Sequence, residues 1–327
     1  MYDKIFSLNI RRIVTDTDLD GVVTGAILKR YWKDADVIFT QPGQLRSGML
    51  DNIIDGFTAI CDLPYRPKCG LNIDHHLSNK PKNNLDVGGM IMWEDSLSAA
   101  RIAYNIFSNK IDLSDLDDLL TWVDKLDSGN ISKEEYLSEN NVLWLGRIIG
   151  DDPKIAAHVL ESLKQKKSIS TIIEDYDIIN HLYKKREEQV KIKKIIIEKM
   201  RIINRLAIVN FEGSGIRSNG YSVTAMAGNA CDACIIIHGD VGVSFEDHPK
   251  YPVSASFYTN SFLHKQGGIY DLTKLATRFD LEGGGHANAC GCRIKAIKNG
   301  KVNDSNVQLD DIEKNIEEWI RMWSESI

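Results

Sequence analysis

The 327-residue chain has no run approaching the ~18 apolar residues of a membrane-spanning helix, which argues against a bilayer anchor. Its opening, "MYDKIFSLNIRR", lacks the apolar core and small-residue cleavage site of a secretory signal. It has only six cysteines, too few in so long a chain for a disulfide framework. Together these absences predict a cytoplasmic protein with reduced thiols. Positive charge is not in excess either. Forty Lys and Arg face 46 Asp and Glu, a net charge of −6, which excludes a broad basic surface for long duplex DNA while allowing a local basic groove. Repeats and low-complexity tracts are absent. What is present is the composition of a globular protein, 43% hydrophobic and 26% charged, in a chain long enough for two domains.

The first half alternates short apolar runs with helical patterns. Residues 11–15, 36–40, 57–61 and 70–74 read as strands, and 21–32 as a helix between the first two. Strand, helix, strand in succession predicts a parallel sheet with crossovers. Residues 96–108 and 113–128 carry the i, i+3, i+4 spacing of amphipathic helices, the first capped by Asp95 or Ser96. More helix is expected through 152–165. Residues 170–201 read as one long helix with charges on its outer face, and the domain boundary is placed within it. Beyond it, strand-like runs at 205–211, 232–240 and 253–259 interleave with helices at 221–230 and 269–280, a strand at 289–295 and an amphipathic C-terminal helix. The expected fold class is α/β. A parallel-sheet domain (1–185) is joined by a linker helix (186–204) to a smaller α/β domain (205–327).

The chemistry concentrates at predicted strand ends. "TDTDLDG" places Asp16, Asp18 and Asp20 at alternate positions, so a strand ending there aims three carboxylates at one spot. Asp62 follows the third strand, and Asp74, His75 and His76 follow the fourth. Ligand sites in open parallel sheets lie outside the carboxyl ends of the strands. Any one of these residues reads equally as a turn or packing residue; the coincidence at three strand ends is the signal. Carboxylates with a few imidazoles suit Mn²⁺ or Mg²⁺. So many acids match two ions ~3.5–4 Å apart, an arrangement that serves phosphoester hydrolysis.

Three further stretches carry alternatives. In "TWVDKLDSGN", Asp124 and Asp127 share a helix face, and Gly129 reads as its C-terminal cap; an exposed helix end is the competing reading. Gly283, Gly284 and Gly285 could bring backbone N–H groups close to an anion with His286 beside them, or form a plain turn. Arg278 could assist or be an ordinary surface arginine. Phe257 or Tyr258 could stack on a base or be core. Cys231, Cys234, Cys290 and Cys292 could hold a structural zinc ion or be buried free thiols.

"TDTDLDG", Asp62, "DHH" and "WVDKLD" occur in the order of the four motifs of DHH phosphoesterases, which the chain resembles over nearly its whole length. "EGGGHANACG" is similar to the glycine-rich signature of the DHH-associated domain in the RecJ and NrnA branches. The first motif is RecJ-like in beginning with Asp, whereas the length is that of the compact NrnA type. The resemblance implies that Asp16 and Asp18 ligate one metal and that Asp20, His75 and Asp124 ligate the other. Asp62 bridges, and Asp127 competes with Asp124. His76 faces the scissile phosphate, and Asp74 orients an imidazole. It implies two Mn²⁺ ions, with Mg²⁺ or Co²⁺ as substitutes. The implied substrates are short single-stranded oligonucleotides or nucleoside bisphosphates such as 3′-phosphoadenosine 5′-phosphate. A polyphosphate or cyclic-dinucleotide hydrolase, a RecJ-like exonuclease and a non-catalytic nucleotide sensor are the competing functions. Oligomeric state, a homodimer included, is left open by the sequence.

Overall fold

The structure is a computed structural model and describes residues 2–81, 88–243, 250–303 and 305–326. It divides into two compact units. One comprises residues 1–131 and 138–185; the other comprises 132–137 and 186–327.

The first unit is built on five parallel strands: β1 (Arg12–Thr15), β2 (Asp36–Phe39), β3 (Thr58–Cys61), β4 (Leu71–Asp74) and β5 (Met90–Trp93), in the order β2-β1-β3-β4-β5. The four expected strands are present. β5, in "MIMW", has no polar alternation to mark it, and its pairing with β4 creates it. The chain leaves β1 toward β2 on one side and returns to β3 on the other. The carboxyl ends of β1 and β3 therefore flank the point where strand order reverses, where open α/β sheets leave a crevice. Helix Leu19–Tyr31 follows β1 with most of its residues buried, which explains its lack of a polar face. Helix Ala99–Phe107 packs beside it and is capped by Ser98, whose Oγ accepts from Arg101 N at 3.0 Å. The cap is thus not Asp95 or Ser96; the Ser96 carbonyl is instead committed to His75. The long helix expected over 170–201 is two helices, Ile169–Ile173 and Tyr176–Lys199. The break falls at Asp175, whose carboxylate accepts from Asp177 N.

The second unit holds a mixed sheet in the order β10-β11-β9-β8-β7-β6. Its strands are β6 (Arg201–Ile203), β7 (Leu206–Asn210), β8 (Ala233–His238), β9 (Ser254–Thr259), β10 (Gly284–His286) and β11 (Ala289–Arg293). Helix Leu309–Ser324 buries Ile312, Ile316, Trp319 and Trp323 against one face. Helix Gly220–Ala227 and the far end of helix Tyr176–Lys199 cover the other. The short helix Lys133–Leu137 also belongs here, through Tyr136 stacked on Tyr221 with ring centroids 5.4 Å apart. The helix expected over 269–280 shrinks to Thr273–Ala276, because Leu272 N is drawn to Ala287 O and Asp280 is engaged by Arg293. No helix among the described residues is long and apolar enough to cross a membrane.

Candidate metal centre

The acidic loop after β1 is held in shape by its own backbone. Asp18 caps helix Leu19–Tyr31, accepting from Gly21 N at 2.9 Å, and Thr15 Oγ1 donates to Gly21 O at 2.6 Å. Any larger residue at 21 would put its Cβ 2.5 Å from the Asp16 carbonyl oxygen, so glycine is required there. The turn carries Asp20 to the start of helix Ala99–Phe107. There its two oxygens accept from Ala99 N and Ala100 N, both at 2.7 Å, at the positive end of the helix dipole.

Asp62 ends β3 with φ +57, a left-handed conformation that a non-glycine residue rarely adopts. It is 1% exposed, and neither oxygen receives a hydrogen bond from an amide, hydroxyl or guanidinium donor. His75 presents Nε2 to three carboxylates: 3.0 Å from Asp127, and 3.6 Å from both Asp20 and Asp62. Its Nδ1 lies 3.1 Å from the Ser96 carbonyl, which requires the proton on Nδ1, so that in the neutral ring Nε2 is the lone-pair nitrogen. That Nε2 is buried and faces carboxylates alone. Asp74 sits behind His76. One of its oxygens receives His75 N, His76 N and His76 Nδ1 at 2.8, 3.1 and 2.9 Å, and the other receives Asn79 Nδ2 at 2.7 Å.

Electrostatics mark the same spot. Burial, then Asp127 and Asp18, push the Asp20 carboxyl up to about 7. Burial, then Asp18, push Asp16 up to about 6. Asp62 is driven well above the ordinary carboxylate range, first by burial and then by Asp20, Asp18, Asp127 and Asp16. Asp18 keeps a solvent-exposed edge, yet its carboxyl is raised by the surrounding protein and by Asp127. Burial acts to lower His75, but Asp127 and Asp20 outweigh it and raise it to about 9. His76 is raised chiefly by its hydrogen bond to Asp74.

Buried carboxylates crowded on one imidazole, with both Asp62 oxygens undonated, are costly unless a cation joins them. Two sets of ligand atoms lie within 4.8 Å of one another, Asp62 with His75 and His76, and Asp20 with His75 and Asp127. The donor set, carboxylates with one or two imidazoles, suits Mn²⁺ or Mg²⁺. Asp16 and Asp18 lie outside both sets but act on Asp62 through space.

Asp124 is placed elsewhere. Its Oδ1 accepts from Ser98 Oγ at 2.7 Å and its Oδ2 from Arg101 Nε at 2.9 Å, so both oxygens are occupied while Asp127, one turn on, reaches His75. Gly129, φ +70, lies just past the end of that helix. Sequence reasoning also missed Ser98, Arg101 and Asn79, polar residues with no motif of their own that hold Asp124 and Asp74 in place.

In the second unit the glycine run is not a turn. Gly284–His286 is the edge strand β10, paired among the described residues with β11 alone. Gly285, φ +138, would place a Cβ 2.7 Å from Ala289 O, and His286 is exposed. Arg278 is committed to Glu318 at 2.7 Å and does not join the run. Phe257 is fully buried against Trp319, as core. Cys231 and Cys234 pack on one face of the sheet, Cys290 and Cys292 on the other, so the four thiols cannot share a zinc ion. Burial raises Cys231 to about 11, and Cys290 and Cys292 to about 12.

No family model matches the chain, and no curated protein does. Solved structures do. A pGpG-specific phosphodiesterase, PggH from Vibrio cholerae, is 19% identical, with 97% of this chain and 99% of that one covered at a TM-score of 0.76. An exonuclease RecJ bound to manganese is 11% identical over 100% and 94% of the two chains, TM-score 0.53. The DHH domain of a member of a ribosomal-protein family is 13% identical over 98% and 88%, TM-score 0.53. At these identities the likeness is one of fold, and the chain shares the two-domain α/β fold of these proteins.

Proposed function

We propose that this protein is a divalent-metal-dependent phosphoesterase of the DHH family, acting on short oligonucleotides, dinucleotides or nucleoside bisphosphates. One observation carries the reading: the buried Asp62 carboxylate, which accepts no hydrogen bond from an amide, hydroxyl or guanidinium donor, and His75 Nε2 converge with Asp20 and Asp127 at the strand switch point. The ordered motifs and the shared fold with a pGpG phosphodiesterase and with RecJ support it. A manganese-bound RecJ of this fold supports manganese as the ion.

In this reading Asp20, Asp62, His75 and Asp127 hold the ions, with Asp16 and Asp18 completing the outer ligand sphere. Bound there, the ions supply charge to stabilise a phosphoryl group and to activate water. His76, with Nδ1 on Asp74, directs Nε2 outward and donates a proton or hydrogen bond to the scissile phosphate. Asp74, fixed by Asn79, holds that ring in orientation. In the second unit the exposed Gly285 and His286 are the residues of this run open to a phosphate, since Gly283 N already donates to Asp280 O at 2.8 Å.

The test is a hydrolysis screen with Mn²⁺ over di- to pentanucleotides, pGpG, 3′-phosphoadenosine 5′-phosphate, cyclic dinucleotides and polyphosphate. Release of nucleoside monophosphates from the shortest oligonucleotides, or of phosphate from the bisphosphate, is expected. Turnover of polyphosphate alone would overturn the nucleotide assignment. Silence on every substrate, with metal bound, would make the protein a sensor.

A further inference from the structure

A cavity of about 660 Å³ opens in the second unit between helix Leu309–Ser324, the Arg278–Phe279 segment and the hairpin that joins Ile297–Lys298 to Lys301–Val302. Among the described residues, none of the metal centre and none of the glycine run lines it. Four cations line it, Arg278, Lys298, Lys314 and Arg321, against two acids, Glu317 and Glu318. Glu318 serves two arginines at once. Its Oε1 accepts from Arg278 Nε at 2.7 Å and from Arg321 Nη2 at 2.9 Å, and its Oε2 accepts from Arg321 Nε at 2.8 Å. Arg321 is satisfied further by Glu325, and Lys314 by Asp310 and Asp311. Arg278 is not. Among the described residues Nε is its one donor in use, and the Phe279 ring, with its centroid 5.0 Å away, steadies a fork whose Nη1 and Nη2 stay open.

The hairpin adds two more charges. Asn299, φ +52, and Gly300, φ +72, form its two-residue turn, which sets Lys298 directly opposite Lys301. Directly opposed residues of an antiparallel pair share a face, and like charges there are destabilising. Both lysines are exposed, and neither has an ion pair among the described residues.

Two repelling ammonium groups beside an open guanidinium fork are a cost that a bound anion removes. The cavity is larger than a phosphate needs and falls in the ~300–1,000 Å³ range of small-molecule sites. Phe279 and Ile297 give it an apolar wall. We infer that this cavity is a nucleotide-binding site, built from none of the metal-centre residues. Arg278 Nη1 and Nη2 take two oxygens of the terminal phosphate, Lys298 and Lys301 add point charges, and the nucleoside lies against Phe279 and Ile297. The inference does not depend on the phosphoesterase reading, because no metal ligand takes part in it.

The test is calorimetric titration of the full chain in EDTA, so that no divalent ion holds a nucleotide at the acid cluster. Adenosine, AMP, ADP and inorganic phosphate are the probes. AMP or ADP should bind at least about tenfold tighter than adenosine and than phosphate, as expected of charge-assisted contacts joined to an apolar wall. Arg278→Gln with Lys298→Gln should weaken nucleotide binding at least about tenfold. Lys298→Gln with Lys301→Gln should do the same while altering only exposed hairpin side chains and leaving the Glu318 cluster whole. Asp62→Asn should keep the wild-type affinity. A wild type that binds no nucleotide overturns the inference, as does one that binds phosphate as tightly as AMP and ADP. Undiminished affinity in the double-lysine variant overturns it too. Loss of affinity in Asp62→Asn would assign the binding to the metal centre and overturn it as well. Mn²⁺-dependent turnover remains the separate test of the phosphoesterase reading.

Discussion

Asp62→Asn separates the cost of the acid cluster from its use. Asn keeps the size of the side chain and tolerates the left-handed φ of +57. In the wild type without divalent ions, the Asp62 carboxyl is 1% exposed, undonated and repelled by Asp20, Asp18, Asp127 and Asp16. An uncompensated buried polar group costs about 1–3 kcal/mol, and the amide of Asn can donate to a neighbouring carboxylate. In EDTA the variant should therefore be more stable by about 2 kcal/mol, which raises the unfolding temperature of a unit this size by about 4–8 °C. With Mn²⁺ at about 100 times its Kd the wild type gains about 2.7 kcal/mol, and the variant, missing a ligand, gains far less. The order of stability reverses, and turnover disappears from the variant. Scanning calorimetry of both proteins, with EDTA and with Mn²⁺, reads this directly. A variant less stable than wild type in EDTA, or one that gains as much from Mn²⁺, would refute the reasoning.

Four further outcomes are expected, two beside the acid cluster and two in the second unit. Asp127→Asn should abolish Mn²⁺-dependent turnover without lowering the unfolding temperature in EDTA. Asp124→Ala should lower that temperature, by about 1–3 kcal/mol in stability, because Ser98 and Arg101 lose their acceptor; paired melts and activity assays distinguish the two. His238 is 2% exposed, stacked near Phe211, and held neutral by burial and by Arg217 at about 4. Its contribution is intact above the unfolded value of about 6.5 and is lost as pH falls from there toward 4, by about 3 kcal/mol at most. His238→Phe should flatten that part of the stability-against-pH curve; an unchanged slope between pH 6.5 and 4 counts against it. Zinc analysis of the purified protein should find no stoichiometric zinc on the four C-terminal-domain thiols, and Cys290→Ser should leave metal content unchanged.

The sequence was most legible where strand, turn and helix agree. β1 with "TDTDLDG" and β4 with "DHH" follow from apolar runs that end on acids, and Gly21 makes the first turn possible. The parts that stayed hidden are those created by pairing. β5 exists because β4 needs a neighbour, and β10 because β11 offers an edge to the backbone of a glycine run. Asp124 and Asp127 share a helix face, so spacing alone does not separate them. A hydrogen-bonded pair from another helix, Ser98 and Arg101, decides which is free. The cysteine spacing suggested a shared site, but strands two apart in a sheet send their side chains to opposite faces when their registers are offset by one.

The central claim is that His75 Nε2 and the carboxylates of Asp20, Asp62 and Asp127 hold two divalent cations. Crystals soaked in Mn²⁺, with anomalous differences collected at the manganese edge, test it most directly. Two peaks within ligand distance of these four side chains are the predicted result. Peaks elsewhere, or none here at a concentration that supports turnover, would contradict it.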